Sequence, residues 1–91
     1  MFYVYILVSQ KDGSLYTGQT NDLKKRLKKH NAGNSKSTKS KTPYDLGYFE
    51  IIQTRAEAMW REWELKKQFS TEYKKKLIAE FDPVKINKVL S

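Results

Sequence analysis

Seven residues near the start, Phe2 to Val8 (FYVYILV), limit the possible folds more than any other stretch. They are β-branched, aromatic or aliphatic throughout, and the run is too short for a free-standing helix. It therefore reads as a strand buried on both faces. Alternation puts Phe2, Val4, Ile6 and Val8 on one face and Tyr3, Tyr5 and Leu7 on the other. A polar stretch, Ser9 to Ser14, follows with an Asp12-Gly13 turn signal, and then a second strand-like segment, Leu15 to Gln19. Pairing Ser9 with Ser14 sets Leu7 opposite Tyr16 and Tyr5 opposite Gly18. Both tyrosines then emerge on one face, and a slip of one residue would separate them.

A hairpin with two apolar faces has to be covered, and the remainder of the chain supplies helices for that purpose. The first runs from Asp22 to about Asn31, with Asn21 as N-cap, Asp22 at the positive end and Gly33 at the C-terminal stop. Leu23 and Leu27 mark its inward stripe. Lys24, Lys25, Lys28 and Lys29 face water, and Arg26 and His30 share the edge beside the stripe. Gly33 to Pro43 (GNSKSTKSKTP) has no apolar residue and reads as a mobile cationic loop. Tyr44 to Gln53 gives a third strand that completes a small antiparallel sheet. Thr54-Arg55-Ala56-Glu57 is a capping box that opens a helix to about Gln68, and Ser70 caps another over Thr71 to Glu80 that ends before Pro83. The expected fold is α+β: a three-stranded antiparallel sheet flanked by about three helices. It forms one domain over residues 1–81, and residues 82–91 make a tail of unassigned structure.

With 91 residues and a net charge of +8, the chain is a single small basic domain whose first candidate partner is a polyanion, above all nucleic acid. The absence of cysteine excludes a disulfide framework and a cysteine-based zinc site. No apolar run approaches the ~20 residues of a membrane span, and Met1 leads directly into strand-like sequence. These features together point to a cytoplasmic monomer with no membrane association. Lys24, Lys25, Lys28 and Lys29 on the helix, and Lys36, Lys39 and Lys41 in the loop, are the candidate phosphate contacts.

Glu62 is the most informative single residue. It falls on the face of its helix that carries Ala58, Leu65 and Phe69, where a carboxylate is costly unless it is paired with a cation such as Arg26 or Arg55, or binds a metal. Glu64 points the other way, as a solvated neighbour of lysines. Trp60 and Trp63 lie off the apolar stripe, as exposed anchors or as a second buried face. A phosphodiester under attack needs its developing charge met by fixed cations, its nucleophilic water deprotonated and its leaving oxygen neutralised. Arg26 can supply the first, a tyrosine or His30 the second, and a divalent ion on Glu62 the third. One carboxylate implies a single Mg²⁺ or Mn²⁺ ligated mainly by water and substrate.

Tyr3-Val4-Tyr5, Tyr16-Thr17-Gly18, Asn21-Asp22-Leu23 with Arg26 and His30, and Glu62 with Leu65-Lys66 follow one another in an order and spacing that resembles the GIY-YIG nuclease superfamily, in particular its small stand-alone bacterial members. Tyr3, Val4 and Thr17 depart from the letters of the family name, while both named tyrosines and the second glycine are kept. The resemblance implies DNA strand cleavage with one divalent metal. Tyr5 and Tyr16 would come from the two name motifs, Gly18 would shape the site, Arg26 would contact the scissile phosphate and Glu62 would anchor the metal. His30 matches a histidine used in some branches, where a tyrosine or histidine is the proposed base. The expected function is a divalent-metal-dependent DNA endonuclease, structure- or damage-directed, in repair or processing. The alternative is a non-catalytic basic module that binds nucleic acid. On the first reading, Tyr5, Tyr16, Arg26 and Glu62 should line one concave pocket.

Overall fold

A computed structural model describes residues 1–91. Three strands, β1 (Phe2–Ser9), β2 (Leu15–Thr20) and β3 (Tyr44–Ile52), form an antiparallel sheet in the order β2-β1-β3. The strand that is apolar on both faces thus takes the centre, where each face can be covered. In the hairpin Leu7 pairs with Tyr16 and Tyr5 with Gly18, the register expected from the alternation. The loop closes through Ser9 N–H donating to the Ser14 carbonyl (2.9 Å) and Gly13 N–H donating to the Ser9 carbonyl (2.9 Å). Gly13 takes φ +76°, a conformation that costs a residue with a Cβ more than it costs glycine. Between β1 and β3 the register jumps from Ile6↔Tyr48 to Leu7↔Leu46, leaving Gly47 as the extra residue of a bulge.

Four helices cover the sheet: α1 (Leu23–Asn31), α2 (Arg55–Trp63), α3 (Thr71–Glu80) and α4 (Pro83–Leu90). On one face, Tyr5 and Leu7 pack with Leu23, Tyr44, Leu46 and Phe49. On the other, Val4 packs with Ala58 and Leu65, and Phe69 and Leu77 close the margin. Leu65 is fully buried, a burial worth about 1.5–3 kcal/mol for a side chain of that size. At the α2 cap Glu57 N–H donates to the Thr54 hydroxyl (3.2 Å), while the Glu57 carboxylate accepts from that hydroxyl (2.8 Å) rather than from Thr54 N–H, so only half of the expected box forms. No helix is long and apolar enough to cross a membrane.

One expectation needs correction, and three segments take a form the sequence left open. Asp22, not Asn21, is the α1 N-cap, its carboxylate accepting from Lys25 N–H at 3.1 Å. The helix capped by Thr54 runs to Gln68 as expected, and its last five residues, Glu64–Gln68, wind as a π turn. The loop before β3 is largely exposed but anchored. Thr38 within it is wholly buried, a 3₁₀ turn spans Lys39–Lys41, and the Ser9 hydroxyl and Lys11 Nζ donate to its carbonyls. Finally, the tail is a helix. Asp82 caps it by accepting from Val84 N–H at 2.9 Å, Pro83 takes the first turn, where its missing N–H costs nothing, and Ile86, Val89 and Leu90 pack against the core. Its spacing of apolar residues at 86, 89 and 90 is helical, although Val84 and Ile86 taken alone suggest alternation.

Candidate active site

The hairpin register brings Tyr5 and Tyr16 to the sheet face that α1 covers. Gly18 lies under them. A Cβ at that position would stand 2.5 Å from the Tyr5 hydroxyl and 3.2 Å from Tyr16 Cε2, so the Tyr5 phenol occupies the volume a side chain would fill. From α1, Arg26 Nε donates to the Tyr5 oxygen at 3.4 Å, and the guanidinium also interacts with the Tyr16 hydroxyl. The His30 ring stands edge-on to Tyr16, with centroids 5.1 Å apart. Its Nε2 lies 3.1 Å from the Tyr5 oxygen and its Nδ1 lies 2.8 Å from the Thr38 hydroxyl. His30 is completely buried rather than at the rim of its helix. Asn31, next in sequence, ties α1 to β3 by donating to the Tyr44 carbonyl (3.1 Å) and accepting from Tyr44 N–H (2.7 Å).

Burial and the neighbouring Arg26 charge both hold the His30 pKa below its ordinary value, so the ring is neutral at neutral pH. Burial raises the Tyr5 pKa, while the hydrogen bond and charge of Arg26 work against the rise. The bond to Tyr5 makes Arg26 still more firmly cationic. No carboxylate pairs with Arg26: the ion pairs of the molecule are Asp12–Lys41, Glu50–Arg61, Arg61–Glu64 and Glu62–Lys66.

Glu62 pairs with neither Arg26 nor Arg55. Its carboxylate takes Lys66 Nζ at 2.9 Å, one helical turn on, and the same ammonium stands 5.6 Å from the centroid of the Tyr16 ring. Glu62 is close enough to Tyr5 for its charge to contribute to the raised phenol pKa. Glu64 is not a solvated neighbour of lysines but lies 3.6 Å from Arg61 Nη1. Arg61 itself makes a bidentate bond to Glu50 of β3, Nε and Nη2 each donating at 2.8 Å. Burial favours the protonated form of Glu50, yet the bonds from Arg61 and from the Tyr48 hydroxyl outweigh it and keep the carboxyl below its ordinary pKa. This pair fixes α2 on the sheet and so sets the place of the adjacent Glu62. Nothing in the local sequence patterns links residues 50 and 61.

Of the four expected groups, only Arg26 lines one of the larger hollows. Arg26 forms the wall between the tyrosines and an open cleft of about 470 Å³ lined by Arg26, Lys29, His30, Asn34, Ser35 and Lys36. A second depression of about 200 Å³, bounded by Thr20 to Asp22 and Lys25, shares Arg26 and Lys29 with it. The result is a cationic trough along α1. All seven lysines at 24, 25, 28, 29, 36, 39 and 41 are exposed, and Lys25, Lys29 and Lys36 border the trough. Lys41 is turned to Asp12 at 3.4 Å. A larger concavity of about 790 Å³ between β3 and α4 is lined mainly by Tyr3, Tyr48, Phe49 and Phe81 and holds none of the expected groups.

No cluster of three or more His, Asp or Glu side chains exists to enclose a metal. Glu62 is a partly exposed hard-oxygen donor whose partner is the flexible end of a lysine. That donor suits one divalent ion dressed mainly in water and phosphate oxygens, and it does not suit a pair of ions. Thr38 escaped the sequence reading because a threonine among serines and lysines carries no pattern. Its one local hint was its place in the loop that returns the chain from His30 to β3.

Residues 1–76 match the family model described as the GIY-YIG catalytic domain. A UPF0213 protein of Staphylococcus saprophyticus is 51% identical over 79 residues, covering 86% of this chain and 94% of the relative. One from Haloquadratum walsbyi is 47% identical over 79 residues, covering 86% and 85%. The solution NMR structure of the UPF0213 protein BH0048 from Bacillus halodurans superposes with a TM-score of 0.57 at 37% identity, covering 100% of this chain and 98% of that one. The match spans most of the chain, including both hairpin tyrosines, Gly18, Arg26 and Glu62, and this chain belongs to the GIY-YIG family.

Proposed function

We propose that the protein is a DNA endonuclease that hydrolyses phosphodiester bonds with one Mg²⁺ or Mn²⁺, acting as a cytoplasmic monomer on branched or damaged DNA in repair or processing. The observation that carries this reading is Arg26, a guanidinium without a carboxylate partner, held by Tyr5 at the wall of a lysine-bordered trough. A phosphate in that trough meets a fixed cation whose position needs no rearrangement, the condition under which charge stabilisation lowers a barrier. Lys25, Lys29 and Lys36 hold the flanking backbone. His30 lines the cleft beside Arg26 and its Nε2 lies 3.1 Å from the Tyr5 oxygen, so the Tyr5–His30 pair is the one assigned to exchange a proton with the attacking water. Tyr16, between Arg26 and Lys66, orients the same phosphate. Glu62 is the carboxylate that would hold the ion, which when bound supplies Lewis-acid stabilisation of the leaving oxygen.

The test is incubation with branched, nicked and single-stranded DNA in Mg²⁺ or Mn²⁺. Cleavage should require the metal and fall at least on the order of 100-fold in Glu62→Ala. Undiminished cleavage by that variant removes Glu62 from the mechanism.

A second reading, binding without cleavage, draws on Trp60 and Trp63. They are 62% and 43% exposed and stacked on one another with centroids 5.2 Å apart, a surface on which unpaired bases can stack. It is favoured if no substrate is cut while binding weakens steeply with salt and is indifferent to Glu62→Ala.

A further inference from the structure

We propose that Lys66 is an exchangeable cation: it neutralises Glu62 until a divalent ion takes that carboxylate, and the displaced ammonium then contacts a substrate phosphate beside Tyr16. The proposal rests on the reading above that Glu62 holds the ion. The Glu62 side chain is only 21% exposed, and a carboxylate so far covered needs a counter-charge. Neither Arg26 nor Arg55 supplies it. Lys66 does, with Nζ 2.9 Å from the carboxylate, and the lysine side chain is 40% exposed. The same Nζ stands 5.6 Å from the centre of the Tyr16 ring, within the range of a cation–π contact. One ammonium thus stands between the carboxylate assigned to the metal and a tyrosine assigned to the phosphate.

The pair is weak by the standards of this molecule. Arg61 grips Glu50 through two nitrogens at 2.8 Å each, whereas Lys66 makes one contact from the end of a flexible stem. A single, partly exposed pair at i,i+4 shifts an equilibrium by about fivefold at most, so a doubly charged ion can displace it. Ion and ammonium repel one another at a shared carboxylate, and the lysine has to turn away. Its backbone stays in place. Lys66 lies in the π turn Glu64–Gln68, and Leu65 beside it is fully buried, so the turn is pinned to the sheet while the stem is free to swing. Tyr16 carries Arg26 at its hydroxyl and Lys66 at its ring, so an anion drawn to Arg26 comes within the sweep of that stem. Arg26 is then the fixed cation of the site and Lys66 the one that arrives with the metal.

Mn²⁺ affinity without DNA, read from the paramagnetic resonance of the free ion, tests the competition. Lys66→Gln should tighten Mn²⁺ binding about three- to tenfold, and Lys66→Arg, which keeps the charge, should not tighten it. Should Lys66→Gln not fold, Lys66→Met, which keeps the stem without the charge, gives the same comparison. Unchanged or weaker binding in the neutral variant overturns the proposal, as does binding too weak to measure in both it and the natural protein. Glu62→Gln should abolish binding. If it does not, Glu62 is no metal ligand, and the reading on which the proposal rests falls first. Single-stranded DNA binding in EDTA tests the transfer to phosphate. Lys66→Gln should weaken it less than about twofold while Glu62 holds the ammonium, and about fivefold on a Glu62→Gln background, where the ammonium is free. Equal losses on the two backgrounds overturn the transfer. A protein whose Mn²⁺ and DNA affinities respond as stated but which cuts no DNA sinks the cleavage reading and leaves the exchange at Glu62 in place.

Discussion

Two arginines, 26 and 61, stand in partly buried polar clusters against the same sheet, and they differ in what they hold. Arg61 is closed: Glu50 takes two of its N–H groups, Glu64 approaches at 3.6 Å, and the Phe69 ring lies 5.5 Å from its guanidinium carbon. Arg26 is open: its partners are phenols, its neighbours across the trough are lysines, and no carboxylate answers its charge. A satisfied pair at an element junction serves packing. A cation kept in place by neutral groups is unsatisfied until an anion arrives, and that difference, rather than burial or residue type, separates the site from the scaffold.

The contrast is easiest to break by exchanging the roles. Arg26→Ala should reduce cleavage by about 100- to 1,000-fold, the loss expected on removing one fixed charge from a transition state, with an almost unchanged denaturation midpoint. Equal losses of activity and stability would erase the distinction. Arg61→Ala should do the reverse. Leaving Glu50 partly buried and unpaired should destabilise the fold by about 2–3 kcal/mol in urea titrations, and the activity of the folded fraction should fall far less. Gly18→Ala sharpens the boundary, since a methyl 2.5 Å from the Tyr5 hydroxyl must push that ring away from His30 and Arg26. It should cost about 1–3 kcal/mol and lower cleavage together, as overpacking does. The smallest effect is the pH dependence of stability. His30 has a lowered pKa in the folded state, so the unfolded chain binds more protons as pH falls below the ordinary histidine value of about 6.5. Stability should therefore be full above that pH and decline below it. Denaturant midpoints should fall from about pH 7.5 to about pH 5.5 in the natural protein and hold steadier in His30→Gln.

How much of this was legible in the sequence follows the range of the interaction. The hairpin register could be read because alternation and the Asp12-Gly13 turn act within a few residues, and Thr54 and Ser70 cap the helices that they precede for the same reason. The Glu62–Lys66 pair, four residues apart on a helix, is equally local. Thr38 was invisible because its role depends on a histidine eight residues away that closes over it only when the loop folds back on the sheet.

The order of polar and apolar residues along the chain determined the three strands, most helix starts, the basic surface and the set of groups with chemical potential. Tertiary structure alone decided which of those groups share an environment: that Arg61 is neutralised by Glu50 while Arg26 is not, that His30 is sealed between two hydroxyls, and that the last eight helical residues cover the sheet. Local patterns fix the torsions of a segment. Charge balance and hydrogen-bond partnership are properties of space, set only when segments distant along the chain exclude water from the same volume.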